Sequence, residues 1–143
     1  MDCPLPEDTP QNPQGADAHF LPVACAIIEN DRGEILATRR PPDKALAGKW
    51  EFPGGKLRDG ETPQDALVRE IREELGVTII LGRKLPVSEH DYGTFRIRLI
   101  PFRARITAGA IDLREHTEAR WLSPDALLHL DWAEADLPIV HTL

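Results

Sequence analysis

Residues 55–77, GKLRDGETPQDALVREIREELGV, constrain this chain more than any other stretch. Thr62, Pro63 and Asp65 read as a helix start: an N-cap hydroxyl, a proline where no amide hydrogen is needed, and an acid at the positive end of the helix dipole. Gly76 reads as a left-handed C-cap, which predicts a helix over Pro63–Leu75. Each helical residue turns about 100°, so Leu67, Val68, Ile71 and Leu75 gather into an apolar stripe. Glu70, Glu73 and Glu74 fall within an arc of about 100° at the border of that stripe. The acidic face therefore looks along the surface at the edge of the core.

Like charges three and four residues apart destabilise a helix by about 0.2 to 0.5 kcal/mol per pair. A bound cation reverses that sign. Carboxylate oxygens are hard ligands, and Mg²⁺ or Mn²⁺ takes a few of them, keeps waters and accepts phosphate oxygens in its remaining positions. An E-x-x-E-E pattern alone is usually a solvated helix face, so its surroundings decide. Just upstream, Trp50-Glu51-Phe52-Pro53-Gly54-Gly55-Lys56 reads as a short apolar segment breaking into a glycine turn. Paired glycines allow φ > 0 and a close backbone approach, which would let a carbonyl or amide reach a metal or a phosphate.

The run fits the pattern G-x5-E-x7-R-E-U-x-E-E-x-G-U, with U aliphatic, at Gly55, Glu61, Arg69, Glu70, Ile71, Glu73, Glu74, Gly76 and Val77. This resembles the Nudix box. The similarity extends over residues 23–140 and is most like the MutT-type and CTP-pyrophosphohydrolase-type branch of Nudix hydrolases. It is carried by Thr38-Arg39-Arg40, by residues 49–56, by the box, by Glu115 six residues before Trp121, and by Asp136 two residues before Pro138.

The resemblance implies an α/β (α+β) fold, the Nudix α/β/α sandwich with a mixed β-sheet between helices. It implies Mg²⁺ as cofactor, with Mn²⁺ as a substitute, held by Glu70, Glu73 and Glu74 with help from the Gly54 carbonyl. Arg69 would orient a box glutamate, and Glu61 would support the metal site from behind its ligands. Glu115 matches the place of an extra carboxylate that relatives use as a metal ligand or general base, with Glu118 its local rival. Lys56 and one of Arg39 and Arg40 are candidates to neutralise phosphates. His90 and His116 are read as solvent-facing.

Base choice should rest on Asp136, where MutT-type oxidised-guanine enzymes carry asparagine and cytosine-nucleotide relatives carry aspartate. An ionised carboxylate only accepts hydrogen bonds and suits the cytosine amino group; a protonated one donates and keeps oxidised purines in reach. Asp136 as a plain cap of the last helix is the competing reading. Trp132, just before that helix, is read either as a stacking partner for the base or as ordinary packing.

The chain has 143 residues, enough for one domain with a real core. Residues 1–18 hold Pro4, Pro6, Pro10 and Pro13 among polar neighbours and are expected to be a loose tail, leaving 19–143 as the domain. That tail lacks the basic start and apolar stretch of a signal peptide, and no run is long enough to span a membrane, so a cytoplasmic protein is expected. Cys3 and Cys25 make no disulfide framework. A net charge of −7 argues against polymeric nucleic acid as partner and leaves a small nucleotide that arrives with its own magnesium.

The remaining pattern predicts a buried strand over 20–29, a turn at 30–33 and a partner strand over 34–39. Two strands over 78–88 and 94–106 flank a turn near Gly93, a strand end lies at 119–122, Ser123-Pro124 starts a short helix, and a last helix covers 135–141. Strands and helices in this order give a layered α/β sandwich. The function expected is Mg²⁺-dependent hydrolysis of (d)NTPs, cytosine or oxidised-purine nucleotides foremost, to nucleoside monophosphate and pyrophosphate. Hydrolysis of another nucleoside diphosphate derivative, such as ADP-ribose, a nucleotide sugar or a dinucleoside polyphosphate, is the enzymatic alternative. A non-catalytic nucleotide sensor is the alternative from another class, and the complete set of acids in the box weighs against it.

Overall fold

The computed structural model describes residues 19–143. The reading of 1–18 as a tail, Cys3 included, lies outside the described residues. In chain order the elements are β1 (Phe20–Ile28), β2 (Ile35–Arg39), β3 (Trp50–Glu51), β4 (Gly54–Lys56), α1 (Pro63–Leu75), β5 (Thr78–Lys84), β6 (Ser88–Asp91), β7 (Arg96–Ala108), β8 (Glu118–Leu122) and α2 (Pro124–Leu127), followed by a 3-10 turn (Glu134–Asp136) and α3 (Leu137–Val140).

Strand β1 sets the layering. Its residues alternate between two apolar clusters, as the two-residue period of a strand requires. Val23, Cys25 and Ile27 meet Trp50, Phe52, Trp132 and Ile139 on one side, while Ala24, Ala26 and Ile28 meet Leu67, Ile71 and Leu75 of α1 on the other. A strand buried on both faces belongs to a middle layer. The first sheet runs β4-β1-β7-β5, with β6 also on β7; β1 and β7 are parallel and the other pairs antiparallel. A second, antiparallel sheet runs β3-β2-β8. Helix α1 packs on β4, β1 and β5, and the 3-10 turn packs on β6 and β7. The expected α/β/α sandwich with a mixed sheet is the observed architecture. Among the described residues, no helix is long and apolar enough to cross a membrane.

Helix α1 has the predicted bounds and caps. Thr62 Oγ1 accepts the Asp65 N–H at 3.1 Å, and Gly76 sits at φ 70° with its N–H on the Arg72 carbonyl. Leu67, Ile71 and Leu75 are fully buried.

Four expectations are corrected. Strand β2 packs against β1 but does not pair with it beyond the Glu29–Ile35 bridge next to the turn, because Ala26 donates to the Pro53 carbonyl and Val23 to Cys25 pair with β4, leaving β2 to build the second sheet. The strand predicted over 78–88 stops at Lys84, ahead of Pro86, and a separate strand β6 begins only at Ser88; both pair with the single long strand β7. The last helix is a 3-10 turn followed by four residues of α-helix, and Asp136 makes no side-chain cap.

The glycine pair is the fourth. Gly54 and Gly55 form strand β4, and neither has φ > 0. Glycine is needed there for closeness: a Cβ on Gly54 would overlap the Ala24 carbonyl and come within 2.7 Å of the Cys25 Cα. Backbone cannot rotate away as a side chain can. Gly54→Ala is therefore expected to destabilise the fold by about 1–3 kcal/mol or more, measured as a lower urea midpoint at unchanged slope.

Candidate active site

The acids of α1 differ in their surroundings. Glu74 is fully buried, Glu70 is 7 % exposed, and the Glu73 side chain is about half in solvent at 48 %. Strand β4 presses on this row: a Cβ on Gly55 would collide with the Glu70 carboxyl group. Burial pushes the Glu74 carboxyl well above the usual carboxylate range, and the charges of Glu51 and Glu70 push it the same way. A site with more carboxylate than its surroundings can ionise is one that a divalent cation fits, because the cation reverses the sign of every one of those interactions.

Arg69 organises this row more fully than expected. Its guanidinium forks onto Glu61 at 2.7 and 2.8 Å, and it also reaches Glu70 at 3.0 Å, Glu73 at 3.2 Å and the Lys56 carbonyl at 3.2 Å. One side chain thus ties three box glutamates to the end of β4. Among the described residues, no three acidic, histidine or cysteine side chains form a ready-made metal cage. With Arg69 standing between Glu70 and Glu73, a cation would compete with the guanidinium for those oxygens.

The Glu61 carboxyl is held down to about 2 by the hydrogen bonds of Arg69 and the Arg58 N–H. Its stabilising contribution is complete above the unfolded value of about 4.3 and is lost as the pH falls through about 2. Thermal midpoints of the wild type and Glu61→Gln should differ by a constant amount above about pH 5 and converge between about pH 4.3 and 2.

Glu115 is exposed in the loop between β7 and β8. That loop lies over the end of α1: Asp112 N–H donates to the Leu75 carbonyl at 2.9 Å, Arg114 N–H to that of Glu74 at 3.2 Å, and the Arg114 guanidinium to those of Arg72 and Glu73. The loop thus brings Glu115 to the helix end that carries Glu73 and Glu74. Glu118 instead pairs with Arg39 and Arg120 in the second sheet.

A cavity opens beside the acidic row, walled by Arg40, Glu51, Phe52, Gly54, Tyr92 and Asp136. Asp136 is buried, and its carboxylate accepts the Phe52 N–H at 2.9 Å. Burial pushes its carboxyl well above the usual range, with the Glu51 charge adding to the effect. Burial also pushes Glu51 up, but hydrogen bonds from His116 and Arg40 outweigh this and hold it below its ordinary value. The solvent-sized room inside is about 30 Å³. The rim includes Ala45 and Leu46, the latter at φ 58°, a region that leucine rarely occupies.

Other predicted positions turn out differently. Trp132 is a core residue at 3 % exposure, tilted against Phe52 with ring centroids 4.7 Å apart and donating its indole N–H to the Leu127 carbonyl, outside the cavity wall. Its contacts are those of a packing residue. Arg40 is no surface cation: its side chain is 2 % exposed and bonds Glu51 and the Ala45 carbonyl. Arg39 is accessible at 46 %, and Lys56 ends β4 half-buried. His116, expected in solvent, is buried against Glu51 at 2.9 Å, whereas His90 lies near Glu134 at the surface. Sequence reasoning missed Glu51 and Tyr92. Tyr92 accepts the Ala135 N–H at 2.8 Å and stacks on Phe95, bracing the cavity from the β6–β7 turn.

The NUDIX domain model matches residues 19–143. The chain belongs to the NUDIX family. The Nudix chain is 37 % identical over 121 residues to the CTP pyrophosphohydrolase of Escherichia coli K12, covering 85 % of this chain and 89 % of that protein. It is 36 % identical over 126 residues to the 8-oxo-dGTP diphosphatase of the same organism, covering 86 % and 95 %. The crystal structure of the MutT protein from Methanosarcina mazei Go1 superposes with a TM-score of 0.80 at 26 % identity, over 90 % of this chain and 95 % of that one. The protein is a hydrolase of the Nudix type, and the two E. coli relatives act on a cytosine nucleotide and an oxidised guanine nucleotide.

Proposed function

We propose that this Nudix hydrolase converts (d)NTPs to the nucleoside monophosphate and pyrophosphate in the presence of Mg²⁺, and that it clears cytosine or oxidised-purine nucleotides from the cytoplasmic pool. The observation that carries the reading is the adjacency of two differently built acidic sites. The exposed end of the α1 row suits a metal-bound polyphosphate, and the cavity-lining carboxyl pair of Glu51, half-buried, and Asp136, buried, suits the polar edge of a base.

In this reading Glu70, Glu73 and Glu74 hold the metal with the Gly54 carbonyl, and Glu115 joins them or takes the proton of the attacking water. Mg²⁺ supplies charge neutralisation at the phosphoryl oxygens and a lowered pKa for water. Arg69 keeps Glu70 and Glu73 aligned, and Glu61 keeps Arg69 aligned. Arg39 and Lys56 are the accessible cations for the phosphates, while Arg40 meets a substrate only through the cavity wall. Asp136 turns one oxygen to the Phe52 N–H and has the other for the base.

The test is kcat/KM across normal, oxidised and methylated (d)NTPs, with ADP-ribose and a dinucleoside tetraphosphate beside them, in Mg²⁺ and in EDTA, with products identified. Metal-dependent pyrophosphate release from cytosine or oxidised-purine triphosphates is the expected result. Turnover confined to the diphosphate substrates, or binding without turnover, overturns it.

A further inference from the structure

The Glu51 carboxylate is shared by donors from two loops. Arg40 Nη1 reaches its two oxygens at 3.2 and 3.4 Å, and Arg40 Nε holds the Ala45 carbonyl at the cavity rim at 2.6 Å. His116 Nε2 meets Glu51 Oε2 at 2.9 Å from the loop that carries Glu115. The far end of that loop is fastened to α1 through Asp112 and Arg114, and Thr117 N–H donates to the Arg39 carbonyl at 3.1 Å. Glu115 is thus suspended between an anchor on α1 and an anchor beside β3, with His116 as the side-chain part of the second.

Packing does not call for an imidazole here. His116 Nδ1 is buried with no hydrogen-bond partner among the described residues, a cost that an apolar ring of similar size avoids. An apolar ring cannot donate to Glu51.

We propose that His116 is a positioning residue: through Glu51 it fixes the loop presenting Glu115 and ties that loop to the Arg40-held rim of the base cavity, coupling occupation of the cavity to the placement of Glu115. The inference rests on the reading of Glu115 given above. A base that enters beside Asp136 contacts a carboxylate whose remaining partners are Arg40 and His116, so any shift of Glu51 reaches both loops through direct hydrogen bonds.

The experiment compares His116→Phe, which keeps the ring and loses the donor, with His116→Gln, whose amide nitrogen falls near the Nε2 position, each alone and combined with Glu115→Gln. His116→Asn, too short to reach Glu51, replaces the phenylalanine variant if the latter does not fold. Expected is a loss in kcat of about tenfold or more in His116→Phe, recovery in His116→Gln, and no further loss beyond about twofold when His116→Phe is added to Glu115→Gln. Amide exchange over 112–117 should accelerate in His116→Phe and not in His116→Gln. Wild-type kcat in His116→Phe, or losses that multiply in the double variant, overturns the positioning role. Wild-type kcat in Glu115→Gln overturns the role of Glu115 itself, whereas unchanged exchange over 112–117 in His116→Phe overturns the tether alone, so the two failures are told apart.

Discussion

In Glu73→Gln, kcat is expected to fall by about 10²–10³-fold, because a metal ligand supplies several kcal/mol of charge stabilisation in the transition state and each 1.36 kcal/mol is tenfold in rate. The fold should hardly notice. Glu73 is half-exposed and pairs with Arg69 at 3.2 Å and Arg58 at 3.6 Å, and such solvated pairs contribute about 0–1 kcal/mol. Arg69 keeps its fork on Glu61 and its bond to Glu70, so the framework behind the row survives the substitution. Steady-state kinetics over a Mg²⁺ titration, beside a thermal melt, separates the two effects. Near-normal kcat at saturating Mg²⁺ would sink the ligand assignment; a matching collapse of the melting temperature would show a structural cause instead.

Helix α1 was legible because everything that defines it is local. The N-cap, the proline, the C-cap glycine and the 3.6-residue period lie within residues 62–76 and agree with one another. The same period placed Glu70 and Glu74 beside the apolar stripe, and both are buried at its border. Strand partners are not local. The turn at Asn30, whose side chain accepts the N–H groups of Arg32 and Glu34, reads as a hairpin, but the edge of β1 is already taken by β4, which lies beyond β2 and β3 in the chain.

The cavity was the least legible part of the site. Glu51 lies between Trp50 and Phe52, both in the core, so strand alternation alone turns it towards solvent. It is drawn inward and half-buried because Arg40 and His116, residues remote in sequence, converge on it. Adjacent Arg39 and Arg40 look interchangeable as letters; one faces solvent and the other is locked in the interior. Trp132, read either as a partner for the base or as packing, belongs to the core, while Tyr92, which no local pattern singles out, stands on the cavity wall. For Gly54 and Gly55, the residue type signals that a side chain is excluded, but not whether conformation or a neighbour excludes it.

Asp136→Asn is expected to move base preference from cytosine towards oxidised guanine nucleotides, changing the ratio of their kcat/KM values by about 10- to 100-fold. One hydrogen bond to a charged group is worth about 1.5–3 kcal/mol, and that is the difference at stake. The asparagine oxygen can keep the Phe52 N–H, now bound at 2.9 Å, which leaves the amide nitrogen as a fixed donor towards the cavity. Stability should therefore be retained or raised, since a buried carboxyl group is replaced by a neutral amide of the same shape. The wild-type carboxyl is different in kind: burial raises its pKa well above the ordinary value, so it donates while protonated and only accepts once ionised. Raising the pH should accordingly favour cytosine nucleotides in the wild type, while the asparagine variant shows no such drift in its base ratio. Unchanged relative kcat/KM across bases, at every pH, would leave Asp136 as a brace for the Phe52 turn with no part in choosing the base.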